Sequence, residues 1–260
     1  MVKFSGNDVT GGNFPQLTIN GRMRCSYMMF NCEGGESDGN FKSLNVGLHV
    51  GDDAQAVLAN RDIVKRRVGV SYLLSALQVH GSDIYVQKEP LTGDTEVQNY
   101  DALITNQGGV ALMTQHADCQ AVLLYDSVAC VIASVHNGWK GSVQNILGKV
   151  VGQMVREFSS EPAHIQAVIS PSLGPCCAEF IHHQKELPPE FLQFQVKENY
   201  FDFWQISVKQ LMDKGLLQEN IILSGQCTVC SDEYFSYRKA VRCTGGVTGR
   251  NGSVIVLRDI

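Results

Sequence analysis

Apolar residues recur along this chain in two rhythms. From Ala54 to Val68, the positions Val57, Leu58, Ile63, Val64 and Val68 form roughly one face, and Arg61, Lys65 and Arg66 lie on the other side. A repeat of about 3.6 residues predicts an amphipathic helix. Gln144 to Phe158 repeats the pattern, with Ile146, Leu147, Val150, Val151, Met154 and Val155 facing a core. Pro188 to Phe194 and Ile206 to Lys214 read as further helices. Prolines are tolerated in the opening turn of the first, and Gly215 ends the second as a C-cap glycine does. The other rhythm is a series of short apolar runs: Leu73 to Val79, Ile84 to Gln87, Ala102 to Ile104, Ala111 to Thr114, Ala121 to Tyr125, Val131 to Val135, Ile165 to Ile169 and Ser253 to Arg258. They are rich in Val, Ile and Leu and mostly bounded by Gly, Asp or Asn, the signature of buried strands. Strands interspersed with helices predict an α/β or α+β fold. Glu33 to Asn40 is polar and predicts a loop. No repeat, low-complexity segment or Pro- or Ser-rich linker divides the 260 residues. The chain 1–260 therefore reads as a single domain with enough length for a full core.

Composition narrows the function. Apolar residues make up 44% and charged residues 18%, with a net charge of -5. An acidic balance with no long Lys/Arg run argues against a nucleic-acid partner, which calls for a basic face. Met1 to Asp8 lacks the apolar stretch of a secretory leader. No run approaches the roughly 20 apolar residues that span a bilayer. The expectation is a cytoplasmic protein with no membrane partner. Nine cysteines, an odd number in a long chain, then read as thiols, some buried and some available as metal ligands, rather than as a disulfide framework.

The candidate chemistry sits at strand ends. Leu77-Gln78-Val79 runs into His80-Gly81, Val110 to Thr114 runs into His116 and Cys119, and Ile132 to Val135 runs into His136-Asn137-Gly138. Rigid strands commonly present site residues at their ends. Two imidazoles and a thiolate are the ligand count of a catalytic zinc site, which keeps one position open. Gly81 and Gly138 would allow close backbone approach. Ligands on separate strands have no diagnostic spacing, so the residues alone leave hydrogen-bonded structural histidines equally open. Asp118 either orients a histidine or a proton or caps a turn. Cys227-Thr228-Val229-Cys230 is a C-x-x-C without a second copy, and it reads as structural thiols; the vicinal Cys176-Cys177 reads as buried packing. Thr244 to Arg250 is glycine-rich but lacks the Gly-Lys-Ser/Thr ending of a phosphate-binding loop.

Taken in order, these motifs are specific in combination. They are Asn45-Val46-Gly47-Leu48-His49-Val50-Gly51-Asp52-Asp53, Gln78-Val79-His80-Gly81-Ser82-Asp83, Asp101-Ala102-Leu103-Ile104-Thr105, His116-Ala117-Asp118-Cys119-Gln120, His136-Asn137-Gly138-Trp139-Lys140-Gly141, Leu173-Gly174-Pro175-Cys176-Cys177, Phe235-Ser236-Tyr237-Arg238 and Thr248-Gly249-Arg250. From about Phe41 to Leu257 the chain resembles the YfiH family, also called the multicopper polyphenol oxidoreductase or laccase-domain family. The resemblance implies a sandwich of mixed β-sheets flanked by helices and a metal site at His80, Cys119 and His136. It also implies zinc-dependent chemistry on purine nucleosides: phosphorolysis of adenosine, inosine, guanosine and methylthioadenosine, and deamination of adenosine. An older family label is copper-dependent polyphenol oxidation. Asn137 and Lys140 replace the family's usual Ala and Arg, and Ser170 and Ala178 replace its usual Gly and Tyr.

Candidate catalytic residues are thus His80, Cys119, His136 and Asp118, with zinc, or copper, as cofactor. Asn45 and Arg61 are expected to bind substrate, a purine nucleoside with phosphate; a homodimer is compatible. Two other readings stand beside this one. A copper-dependent laccase would use the same His-Cys-His set, but seven histidines and no His-x-His pair fall short of a trinuclear centre. A metal-free cysteine hydrolase would use Cys119 as nucleophile with His136 or His80 as base.

Overall fold

The computed structural model describes residues 9–13 and 25–258; Met1 to Asp8, read above for a leader, lies outside them. Among the described residues there are fourteen strands: β1 Val9–Asn13, β2 Cys25–Phe30, β3 Leu73–Leu77, β4 Ile84–Gln87, β5 Thr95–Gln98, β6 Ala102–Thr105, β7 Ala111–His116, β8 Gln120–Asp126, β9 Val131–Asn137, β10 Ile165–Ile169, β11 Gln195–Lys197, β12 Tyr200–Phe201, β13 Ile221–Leu223 and β14 Asn251–Leu257. The helices are α1 Ala54–Val68, α2 Trp139–Val143, α3 Ile146–Phe158, α4 His183–Glu186, α5 Phe203–Met212 and α6 Tyr237–Cys243.

Two six-stranded mixed sheets stack face to face. The first runs in the order β1-β2-β14-β7-β3-β5 and the second β13-β10-β8-β9-β6-β4. Tyr27, Leu74, Leu112 and Ile255 of the first meet Leu103, Leu123, Tyr125, Ile132 and Val168 of the second in a core between them. The outer face of the first sheet packs Met113, Val254 and Val256 against Val64 and Val68 of α1. The outer face of the second packs Val122, Leu124, Ala133 and Val135 against Ile146, Val150 and Met154 of α3 and Leu211 of α5. The result is a sandwich of mixed sheets with a helical layer on each side. It explains why the middles of β8 and β9 are mostly apolar: every residue of both is buried, so both faces favour apolar side chains.

Local chemistry sets the boundaries. Asp53 caps α1 by accepting from the backbone N–H groups of Gln55 and Ala56, and Gly69 closes it at φ 75°. The helix expected over Gln144 to Phe158 is α3, starting two residues later at Ile146, and a short helix that was not expected, α2, precedes it. Asn145 adopts φ 52°, and its side chain caps α3 through the Gly148 N–H, so the backbone turns between α2 and α3. The Pro188 to Phe194 segment is a 3-10 helix, Pro189–Phe194. The next helix starts earlier than expected, at Phe203, because Asp202 caps it through the Gln205 N–H. The strand from Leu73 ends at Leu77, beyond which the Gln78 side chain bridges to the backbone of Gln115, at 2.7 and 2.9 Å. No described helix is long and apolar enough to cross a membrane.

Candidate metal centre

The first sheet hands the chain to the second at 117–119, between the end of β7 and the start of β8, and the candidate ligands gather at this crossing. Asp118 makes the turn at φ 85° and delivers Cys119. β8 and β9 pair with Gln120 opposite Asn137 and Ala121 opposite His136, which sets His136 and Gly138 across from Cys119. His80 arrives from beyond β3 at φ 58°. Left-handed backbone at non-glycine residues costs roughly 1 kcal/mol or more and persists only where surrounding structure holds it. For His80 the holder is Asp101. Its Oδ1 accepts the His80 N–H at 3.0 Å, and its Oδ2 accepts those of Gly81 at 2.6 Å and Val79 at 3.3 Å.

The same carboxylate orients the second imidazole. His136 Nδ1 lies 2.8 Å from Asp101 Oδ1, so Nε2 is the ring atom left for a ligand, the carboxylate–histidine arrangement typical of metal sites. The His80 and His136 rings stand edge to face, centroids 4.8 Å apart. The ligand atoms of His80, Cys119 and His136 all lie within 4.8 Å of one another. Gly138 explains its own identity: a Cβ there would stand 2.9 Å from Cys119 Sγ and 3.3 Å from His80 Cδ2.

Charge is organised around the same atoms. Burial acts to raise the Asp101 carboxyl, but the hydrogen bond and charge of His136 and the backbone N–H groups hold it below the usual range. Burial also acts to raise the Cys119 thiol, and the charge and hydrogen bond of His136, then those of His80, outweigh it and favour the thiolate. His136 is the complement: burial acts to lower it, and the Cys119 charge and Asp101 raise it. An ionised thiol with two imidazoles, one fixed by a carboxylate, is the donor set that suits zinc and leaves a fourth position open. Copper also takes such donors.

The centre lies on the wall of a cavity of about 700 Å³, a volume typical of small-molecule sites. His116 lines it. Its Nε2 is 2.8 Å from Ser253 Oγ, and its Nδ1 makes no hydrogen bond within the described protein. Burial, with help from the charges of His136 and Arg250, pushes its pKa down to about 3, so the ring is neutral. Asp118 also lines the cavity, but both its oxygens are engaged: Oδ1 accepts from Thr228 Oγ1 at 2.7 Å and Oδ2 from the Arg238 N–H at 2.6 Å. It braces the wall.

The two residues expected to bind substrate are not on that wall. Arg61 is buried beneath it, with Nε on the Val46 carbonyl at 2.9 Å and an ion pair to Glu96 at 2.8 Å. Its donors are committed to the fold. Asn45 is fully buried and holds the Arg250 N–H on its Oδ1 at 2.8 Å. The cations that do line the cavity are Arg238 and Arg250. Arg250 is held by the carbonyls of Thr248 and Gly249, each at 3.0 Å. Arg238 donates to the Glu179 carbonyl at 2.9 Å and lies 5.7 Å over the Phe180 ring. Lys140 is exposed, 5.6 Å over Trp139. Ala178 packs in an aromatic cluster with Phe180, Phe201 and Phe203. Sequence reasoning missed the role of Asp101, which no spacing betrays, and of Arg250, whose only signal was its place in the Thr248-Gly249-Arg250 motif.

Comparison with known proteins gives the family. Residues 26–258 match the family described as multi-copper polyphenol oxidoreductase laccase. The purine nucleoside phosphorylase YlmD of Geobacillus stearothermophilus is 31% identical over 244 residues, covering 87% of this chain and 88% of that protein. A purine nucleoside phosphorylase of Corynebacterium glutamicum is 31% identical over 231 residues, covering 86% of this chain and 91% of the relative. The crystal structure of YlmD from Geobacillus stearothermophilus superposes with a TM-score of 0.80 at 29% identity, covering 95% of this chain and 100% of that one. The family match over residues 26–258, the sequence similarity over most of the chain and the shared fold agree, and the chain belongs to the laccase-domain, or YfiH, family.

Proposed function

We propose that this chain is a metal-dependent purine nucleoside phosphorylase acting at His80, Cys119 and His136. The observation that carries the reading is the convergence of these three ligand atoms within 4.8 Å on the wall of a cavity that also presents Arg238 and Arg250. Relatives named purine nucleoside phosphorylase supply the substrate class. In phosphorolysis a phosphate oxygen bonds to C1′ of the ribose while the C1′–N9 bond breaks. Its electron pair leaves on the purine, which takes up a proton. Arg238 and Arg250 bind the phosphate: guanidinium groups match its geometry with paired N–H donors. The neutral His116, with Nδ1 unpartnered, hydrogen-bonds the nucleoside. Asp101 holds His136 by Nδ1 and leaves Nε2 free to bind a metal, and the lack of a Cβ at Gly138 keeps Cys119 Sγ and His80 uncrowded. Zinc, when bound, supplies Lewis-acid charge beside the cavity.

Adenosine deamination is the accompanying activity. It needs water at C6 and a proton carrier, and Glu179 on the cavity wall fits that task better than Asp118, whose oxygens are engaged. A metal-free cysteine nucleophile is the second reading, favoured by the thiolate-stabilising pair of Cys119 with His136. Copper-dependent polyphenol oxidation has less support: among the described residues, no further histidines cluster as a multinuclear copper centre requires.

The test is chromatographic. Zinc-loaded protein is incubated with adenosine, inosine, guanosine or methylthioadenosine, with and without phosphate, beside Cys119→Ala. Phosphate-dependent release of the base, with adenosine converted to inosine when phosphate is withheld, supports the reading. Neither product from protein shown to hold zinc overturns it. Rapid alkylation of Cys119 in protein without metal would favour the cysteine nucleophile.

A further inference from the structure

A second cluster of soft ligands stands behind the cavity wall. Cys176 and Cys177 follow the turn at Gly174-Pro175, and Cys227 and Cys230 bracket a turn some fifty residues later; their sulfurs all lie within 4.8 Å of one another. The separation from Cys230 Sγ is 3.6 Å to Cys176 and 3.5 Å to Cys177. These are not disulfide lengths, which are about 2.05 Å, and all four are free thiols. A tetrahedral ion with metal–sulfur bonds of about 2.3 Å holds its four sulfurs about 3.8 Å apart. The observed spacings fall close to that edge.

We propose that Cys176, Cys177, Cys227 and Cys230 bind one Zn²⁺ in a closed tetrahedral site, separate from the His-Cys-His centre. Four thiolates leave no open position, so the ion is structural. A tetrathiolate set selects zinc or iron–sulfur chemistry, and a multi-iron cluster would spread the cysteines wider than this group allows. Metal binding releases the thiol protons to solvent and leaves every sulfur in its present oxidation state.

The backbone is already folded for this task. The Cys230 and Ser231 N–H groups both bond to the Cys227 carbonyl at 3.2 Å, closing the C-x-x-C turn. Cys227 Sγ accepts the Gly174 N–H at 3.3 Å, and Thr228 N–H bonds to the Ser172 carbonyl at 3.1 Å. A Cβ at Gly174 would stand 2.9 Å from Cys227 Cβ, so only glycine lets the two turns close on each other. The site therefore ties the 172–180 segment to the 226–238 segment. The first gives the cavity Leu173, Glu179 and Phe180, and the second gives it Tyr237 and Arg238. Asp118 joins the same two segments from the cavity side, through the Leu173 N–H, Thr228 and Arg238. The metal acts as a clamp behind the wall that carries Arg238.

The experiment uses the full chain carrying Cys119→Ala, which removes the thiolate of the other centre. Protein purified with reductant and without chelator is assayed for zinc by mass spectrometry, then exchanged with Co²⁺. The expected result is about one zinc per chain and a strong thiolate-to-cobalt charge-transfer band. Adding Cys230→Ser to the same background takes both to near zero. X-ray absorption on the Cys119→Ala protein covers the case in which the double variant fails to fold, and an all-sulfur zinc shell is expected. Absence of zinc after equilibration with equimolar Zn²⁺, a nitrogen-containing shell, or a disulfide among these cysteines in the non-reduced mass would overturn the proposal. None of these readouts depends on phosphorolysis, so the two readings fail separately.

Discussion

Adding one methyl group at Gly138 tests the metal centre at its tightest point. Gly138 has φ −79° and ψ 179°, which alanine adopts freely, so backbone strain does not enter and the effect is steric. The new Cβ would sit 2.9 Å from Cys119 Sγ, where ordinary contact begins at 3.4 Å. The sulfur or the strand end must therefore give by about half an ångström, whereas metal–ligand distances tolerate only about 0.2 Å. Without metal the Cys119 side chain rotates away at small cost, toward the low end of the roughly 1–3 kcal/mol typical of overpacking. With metal it has no such freedom. We expect Gly138→Ala to weaken zinc binding by about 10- to 100-fold, as perturbing support around metal ligands commonly does, which is about 1.4–2.8 kcal/mol. The metal-free chain should melt within a few degrees of wild type. Gly93→Ala is the control, because a Cβ there meets nothing within 4 Å. Chelator competition gives the Kd, and melting with and without zinc gives the stability. An unchanged zinc Kd in Gly138→Ala would refute the placement of Cys119 as a ligand.

Three further outcomes follow from the same geometry. Asp101→Asn keeps the shape but disturbs the acceptor of His136 Nδ1 and of three backbone N–H groups. It should also lower zinc affinity about 10- to 100-fold, and unaltered affinity would remove Asp101 from its orienting role. Arg250→Ala should raise KM for phosphate by about 10-fold or more, the worth of a charge-assisted hydrogen bond, with the nucleoside KM little changed; equal effects on both would place Arg250 elsewhere in the site. Burial acts to raise the Glu96 carboxyl, but Arg61, with His49 and Ser75, holds it below its ordinary value. Its stabilisation is therefore present above the unfolded pKa of about 4.3 and is lost as pH falls through the folded value. Glu96→Gln should cost about 3 kcal/mol at neutral pH by stranding the buried Arg61. It should flatten the decline of stability in acid, and denaturant melts across pH that run parallel to wild type would contradict this.

The strands that the sequence announced include those buried on both faces. β8 and β9, sealed between the opposite sheet and α3, are legible because Ala121 to Tyr125 and Val131 to Val135 are apolar but for Ser134. β5, as Thr95-Glu96-Val97-Gln98, carries one apolar residue and pairs on one side only, with β3, so its pattern resembles a loop. β2, Cys25–Phe30, owes its place to pairing with β1 and β14, a long-range event with no local mark. The boundary between α2 and α3 rests on the left-handed backbone of Asn145, which periodicity does not register.

The site divides along the same line. Residue type and strand-end position made His80, Cys119 and His136 candidates but left hydrogen-bonded structural histidines equally open. Their resemblance to family motifs did the rest. What tertiary structure alone decided is which charges face the cavity and which serve the fold. Arg61 is spent on Glu96, Asp118 on Thr228 and Arg238, and Arg250 faces the cavity. The four cysteines at 176, 177, 227 and 230 are a vicinal pair and a C-x-x-C with no sequence relation until two turns close on Gly174. A sequence fixes the chemistry each side chain can perform, but charge pairing and ligand convergence depend on distances of a few ångströms between residues far apart in the chain, and only the folded sheets set those distances.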